Sequence, residues 1–201
     1  MPTRRRPIKS DKSRTRKRKA TYSAKDYNSN DGMLTSVWGP GMWHYLHTMS
    51  FNYPVRPTCD DKRNYRDFML SLQDVLPCGK CRKNLRKNYT KLPLKYRDLE
   101  SRATFSKYVY RLHELVNDML HKKSGLTYDD VRERYEHFRA RCAISAADKD
   151  KPVPPPENGC TEPLYGEKSK CLLKIVPDNV KCDTLEINRK CIKKRLPTNT
   201  M

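Results

Sequence analysis

The chain has 201 residues, 43 Lys and Arg against 23 Asp and Glu, a formal net charge of +20, and only 36% hydrophobic residues. It has no run of about 18 apolar residues, which excludes a transmembrane helix, and its charged start lacks the apolar stretch of a secretory leader. Seven glycines and no G-x-G-x-x-G argue against a Rossmann-type cofactor domain.

The basic charge is concentrated at the start. Residues 1–20 hold ten Lys or Arg and a single acid, Asp11. Met1 and Ile8 are their only sizeable aliphatic side chains, so this stretch has no face to bury and reads as disordered. Like charge at this density points to a nucleic acid, nuclear import or another anionic surface, with a solubilising arm as the plain alternative. Residues 1–32 are set apart as a basic tail.

From residue 33 to 142 the apolar spacing is helical. Trp43, Leu46, His47 and Ser50 share one face of a segment predicted from about Ser36 to Tyr53 and closed by Pro54. Tyr65, Phe68, Met69, Leu72 and Val75 mark a second helix, opened by Asp60 or Asp61 and stopped by Pro77. A short third helix starts at Cys78 and uses Leu85 and Tyr89. The fourth carries the widest stripe, from Phe105 and Tyr108 to Met119 and Leu120, with Thr104 as N-cap and Gly125 past its end. Thr127 opens the fifth with Asp130 as its reciprocal acid, and Tyr128, Val131, Tyr135 and Phe138 form its buried side. Alternating strand patterns are absent. The predicted fold class is all-α, a four- to five-helix bundle with short loops. Residues 143–201 read as a Pro-rich linker, Lys151 to Pro156, and a tail carrying Cys160, Cys171, Cys182 and Cys191.

Eight cysteines are many for a reduced cytosolic chain. Cys78-Gly79-Lys80-Cys81 is the only C-x-x-C. At a helix start the first thiol meets unpaired N–H groups and the positive end of the dipole, which favour thiolate and hence attack on disulfides. Lys80 and Arg82 add positive potential. A structural disulfide and half a zinc site are the competing readings. The second needs two further ligands at compatible spacing, and no second such pair exists, so no metal is assigned. Trp43 and His47 are spaced i, i+4 on the first helix, and His113 and Asn117 are spaced i, i+4 on the fourth. A lone interior His is commonly a hydrogen-bonded core residue. Two such pairs beside a redox-type C-x-x-C suit a flat cofactor held between helices.

Trp38-Gly39-Pro40 with Trp43, Leu46-His47-Thr48 and Tyr53-Pro54 resembles the first helix of the Erv/ALR-type FAD-dependent sulfhydryl oxidases. Leu76-Pro77-Cys78-Gly79-Lys80-Cys81 resembles their active-site disulfide. Ser101 to Ser106, followed by Arg111-Leu112-His113-Glu114-Leu115-Val116-Asn117, resembles their flavin-binding helix, usually H-N-x-V-N, and Leu120-His121-Lys122 resembles a following L-G-K. The likeness covers about residues 36–141. It implies a helical bundle that binds FAD, usually as a homodimer, and turns protein dithiols into disulfides, passing electrons to oxygen to give hydrogen peroxide. The substrate would be a thioredoxin-like or other small C-x-x-C protein. By position, Cys78 would be attacked by substrate and Cys81 would lie against the flavin. Trp43 and His47 would contact the cofactor from the first helix, His113, Asn117 and Lys122 would hold its adenine-nucleotide side, and Tyr135 stands near where relatives carry a Trp.

Three departures bear on that reading. Glu114 replaces an Asn, His121 replaces a Gly, and Tyr110 and Tyr128 occupy the positions of a structural disulfide found in cellular members. The loss of that disulfide, with the W-G-P opening, looks more like the oxidases of large nucleocytoplasmic DNA viruses. That implies a site of action in the host cytoplasm or virion, with the nucleus as an alternative through the basic tail. The tail cysteines could relay electrons as in relatives, or simply staple the tail, and the pairing of Cys59 and Cys142 is open. A polyanion-binding structural or virion protein that keeps the fold is the alternative function, and a zinc-binding module is a third.

Overall fold

The computed structural model of the chain describes residues 22–140, 160–183 and 185–194. By contact they divide into two units, Met1–Asp31 and Gly32–Met201. In the first, Ser23 caps one helical turn, α1 (Ala24–Tyr27), through a reciprocal pair of bonds with Asp26. Residues 1–20 and Cys142 lie outside the described residues.

Among the described residues the second unit holds five α-helices: α2 (Thr35–Phe51), α3 (Cys59–Val75), α4 (Gly79–Lys91), α5 (Arg102–Met119) and α6 (Tyr128–Glu136). A 3-10 turn, Tyr96–Leu99, precedes α5. The architecture is all-α. The isolated bridge between Ala140 and Pro163 is the only β pairing among the described residues. None of the described helices is long and apolar enough to cross a membrane.

α5 is the central element and packs most extensively against α2. Phe105, Val109 and Leu112 on its inner face are fully buried. The Phe105 ring meets Tyr53 at 4.9 Å and Tyr65 at 5.7 Å between centroids. Tyr53 donates its hydroxyl to the Leu99 carbonyl at 2.7 Å and accepts on its own carbonyl from Arg102 Nε. The loop after α2 is thus fastened to the start of α5 by one buried and one half-buried polar bond, the first strengthened by its apolar surroundings.

Four helix ends are set by reciprocal side-chain caps, and two differ from the sequence expectation. α3 is opened by Thr58, with Asp61 at the third helical position, and α5 by Ser101, with Thr104 in that role. Within each pair, the cap is the residue with extended backbone. Thr127 and Asp130 open α6 as the pattern predicts.

The far end of α5 differs further. Gly125 has positive φ but sits in the loop, while the left-handed residue closing the helix is His121, at φ 54°. Around it His121 N–H donates to the Asp118 carbonyl at 3.1 Å and Lys122 N–H to the Asn117 carbonyl at 2.9 Å. These two bonds form the closure normally built on glycine at that position. A side chain with a Cβ is strained in this conformation.

Tyr110 and Tyr128 join α5 to the start of α6. Their rings meet edge to face at 5.9 Å, Tyr128 shares a hydrogen bond with Ser106 Oγ at 2.8 Å, and Tyr110 donates to the Leu126 carbonyl at 2.8 Å. Beyond α6, Leu164 N–H donates to the Arg139 carbonyl and Lys193 N–H to His137 Nδ1, so the C-terminal segment returns to the end of this helix. Cys160 is disulfide-bonded, whereas Cys59, Cys171, Cys182 and Cys191 are free thiols.

Replacing His121 by Gly relieves the left-handed strain and is expected to raise unfolding stability by about 1 kcal/mol. Urea denaturation followed by circular dichroism measures this. An unchanged or lowered midpoint would contradict the assignment.

Candidate redox site

Cys78 and Cys81 form a disulfide at the start of α4. Cys78 is the N-cap, and its Sγ accepts from the Cys81 N–H at 3.2 Å. The sulfur therefore sits among the free N–H groups of a 13-residue helix. The loop before it is fixed from two sides. Arg82 donates its guanidinium to the Leu76 carbonyl, and Met33 N–H donates to the Pro77 carbonyl at 2.8 Å. The second contact lays residues 32–34 along the loop. At Gly32 an added Cβ would lie 3.0 Å from the Pro77 oxygen and 3.2 Å from Cys78 Cα, so any side chain there would press the loop outward by a few tenths of an ångström.

That strap leads directly into α2. Thr35, its first residue, brings Oγ1 to 3.6 Å from Cys81 Sγ. Eight residues further along, about 12 Å by helical rise, α2 presents an aromatic cluster. Trp43 lies flat against His113 of α5, with centroids 3.9 Å apart and planes within 5°. His47 Nε2 is 3.0 Å from His113 Nδ1. Tyr135 of α6 stacks at 5.3 Å from His47 and 5.6 Å from Phe51, and its hydroxyl shares a hydrogen bond with His44 Nδ1 at 3.3 Å. Cys78 and Cys81 thus lie by one end of α2, and Trp43, His47, His113 and Tyr135 gather further along it. Asn117 lies one turn beyond His113 and donates its amide to Glu114 Oε1 at 2.9 Å. Lys122 is exposed just past the end of α5, its side chain outside the cluster. His44, Phe51 and Thr35 were not read from sequence. His44 and Phe51 carried a signal, flanking His47 at helical spacing, but Thr35 carried none.

Burial decides the charge state of the imidazoles. Desolvation, helped by the neighbouring His113 and His44, pushes His47 down to about 3. Burial also pushes His113 down to about 4, against an opposing pull from Glu114. The Tyr135 hydroxyl is raised to about 12 by burial. At neutral pH both imidazoles are neutral, so one ring nitrogen of the pair must donate to the other. His47 Nδ1 is buried with no hydrogen-bond partner. The network is best satisfied if that atom is the bare nitrogen, Nε2–H donates to His113 Nδ1, and His113 carries its proton on Nε2.

The residues suit a flat, polar-edged cofactor such as a flavin adenine dinucleotide. They supply stacked rings, an orphaned acceptor in a buried position and an amide one turn away. On the other side of α2 lies an apolar groove of about 480 Å³, lined by Trp38, Met42, Tyr45, Val75 and Pro77 among others. It contains none of these polar groups and belongs to a different face.

The chain is thus a helical bundle with a C-x-x-C disulfide capping one helix and an aromatic cluster two turns along its neighbour. The family model that matches residues 40–136 is described as the Erv1 / Alr family, and this chain belongs to that family. It is 39% identical over 104 residues to a protein of Acanthamoeba polyphaga mimivirus named "Probable FAD-linked sulfhydryl oxidase R368", covering 52% of this chain and 72% of that one. It is 28% identical over 99 residues to the FAD-linked sulfhydryl oxidase of African swine fever virus (isolate Warthog/Namibia/Wart80/1980), covering 49% and 80%. Among solved structures it is similar to the yeast Erv1 core, at 22% identity and TM-score 0.47, over 60% of this chain and 95% of that chain.

The histidine pair makes a pH prediction. Unfolded imidazoles titrate near 6.5 and the folded ones near 3 to 4, so between these limits the unfolded state binds more protons. Stability is therefore full above about pH 6.5 and falls as the pH drops, each group costing on the order of 1–2 kcal/mol between pH 7 and pH 5. Urea midpoints across this range should fall less steeply in His113→Gln than in the natural chain. Equal slopes would contradict buried neutral imidazoles.

Proposed function

We propose that this chain is an FAD-dependent sulfhydryl oxidase whose reaction centre is Cys78–Cys81. The observation that carries the reading is the continuity of the disulfide, through Thr35 and α2, with the Trp43, His47 and His113 cluster. In the proposed reaction a substrate thiolate attacks Cys78 Sγ, the Sγ–Sγ bond breaks, and Cys81 leaves as a thiolate. The second substrate thiol attacks the mixed disulfide and releases Cys78. The substrate has then lost two electrons and two protons and gained a disulfide, and the pair on α4 is reduced. The chemistry that bound FAD supplies is a two-electron acceptor for that pair which oxygen can reoxidise, giving hydrogen peroxide.

The chain's own groups prepare both sulfurs. A Cys78 thiolate at the N-cap keeps the Cys81 N–H and the helix dipole. The Thr35 hydroxyl is placed to donate to a Cys81 thiolate. Trp43, His113 and Tyr135 offer faces for the cofactor rings, His47 and Asn117 polar edges, and Lys122 a cation for the pyrophosphate. Cys81 is assigned as the cofactor-side sulfur because it is the one that approaches α2. The proposal extends to a homodimer, to a protein dithiol substrate with oxygen as acceptor, and to action in the cytoplasm or virions of an infected host. Similarity to the mimivirus and African swine fever virus proteins supports the last point.

Oxygen uptake with dithiothreitol tests the reading. Cys78→Ser and Cys81→Ser should each lower kcat at least about 100-fold. Thr35→Val should lower it about 3- to 10-fold, in line with one weak charge-assisted hydrogen bond, and Thr35→Ser should restore most of it. Full turnover in either cysteine variant would overturn the proposal.

A further inference from the structure

We propose that α4 presents a lysine stripe that docks the acidic flank of a protein dithiol substrate. The inference rests on the oxidase reading and adds a substrate class to it.

α4 differs in charge from the helices around it. α3, α5 and α6 mix acids with their bases, and exposed i, i+3 ion pairs such as Arg63–Asp60 and Arg132–Asp129 lie on them. α4 carries six bases, Lys80, Arg82, Lys83, Arg86, Lys87 and Lys91, and no acid. Its two arginines are engaged, Arg82 with the Leu76 carbonyl and Arg86 with Asp74 at 2.6 Å. The four lysines are exposed, and none forms an ion pair among the described residues.

Their spacing of 3, 4 and 4 residues puts them within an arc of about 80°. Leu85, Asn88 and Tyr89 bury the opposite side of the helix. The stripe is about 17 Å long and begins at Lys80, between the two cysteines. Like charges at i, i+4 weaken a helix, and here Lys83–Lys87 and Lys87–Lys91 repeat that arrangement without relief. A substrate whose thiol reaches Cys78 must bring its flanking chain close to this end of α4. Carboxylates on that flank would complement the stripe, while a basic flank would be repelled. Such fields act mainly on encounter rate and are screened by salt. Placement beside the disulfide favours a thiol protein over a nucleic acid as the partner.

The test uses the flavin-loaded full chain and two reduced synthetic peptides of equal length. Both carry the same central Cys-x-x-Cys, one flanked by glutamates and the other by lysines. Oxygen uptake gives kcat/KM for each, expressed relative to dithiothreitol on the same preparation. At about 20 mM salt the acidic peptide should be favoured about ten-fold or more, and at about 0.5 M salt the two should approach parity. Lys83→Glu with Lys87→Glu should reverse the preference, and the milder Lys83→Gln with Lys87→Gln should reduce it.

Equal turnover of the peptides at low salt overturns the inference while normal dithiothreitol oxidation leaves the oxidase reading standing. A preference that survives in both double variants overturns it too. So does loss of duplex-oligonucleotide binding in those variants with the peptide preference unchanged, which would assign the stripe to nucleic acid. A wild-type chain that does not oxidise dithiothreitol overturns both readings together.

Discussion

The hydrogen bond between His47 and His113 joins α2 to α5 at the edge of a cluster of rings. Below it, Leu46, Val109 and Leu112 pack as ordinary buried apolar side chains. Above it, Trp43, Tyr135 and Phe51 surround the two imidazoles with ring faces. A charged imidazole in that setting would lose its hydration, and the pull of Glu114 on His113 offsets only part of that loss, so both rings stay neutral. Neutrality means that one ring donates to the other, the unpartnered His47 Nδ1 favours Nε2–H as the donor, and the cluster presents ring faces with a few unspent polar edges. The site is thus built from core residues, and its geometry depends on the packing that holds α2 against α5.

The disulfide is governed by a different physics. It sits at a helix N-terminus with basic residues on and around it, and its sulfurs are served by an N–H and a hydroxyl. One stretch of the chain is electropositive and accessible, and the other is neutral and desolvated. α2 spans both, with Thr35 at one end and His47 three turns on. This division suits a protein that must accept thiolates from solvent at one place and hold a flat cofactor away from water at another. The strap at Gly32 and Met33 gives α2 its register against the loop of Cys78, so its role reaches beyond one backbone hydrogen bond.

Much of this was legible from residue spacing. The five helices, the fully formed Thr127–Asp130 cap and the convergence of Trp43 with His47 and His113 follow from apolar periodicity and i, i+4 pairs. The errors lie where two residues compete for one local role. Asp61 and Thr104 have suitable capping side chains, but Thr58 and Ser101 are the residues with extended backbone, and only the fold decides between them. Gly125 looks like a helix terminator because glycine adopts positive φ without strain, yet α5 ends earlier and imposes that conformation on His121. Leu99 is fully buried from a 3-10 turn too short to show a period. Thr35 meets Cys81 across 46 positions of sequence, a contact no local pattern encodes. The Tyr110–Tyr128 tie shows a further limit, since the pattern marks two cysteines as missing but not that ring packing and two hydroxyls hold the same helices together.

The central claim is that the thiol pair on α4 and the ring cluster between α2, α5 and α6 act as one redox unit. The most direct measurement is the visible absorption of the purified chain under anaerobic conditions, before and after adding dithiothreitol, and again on admitting air. The account predicts a yellow protein whose flavin band is bleached by the dithiol and returns with oxygen. A colourless protein, or a flavin band that dithiothreitol leaves unchanged, would contradict it.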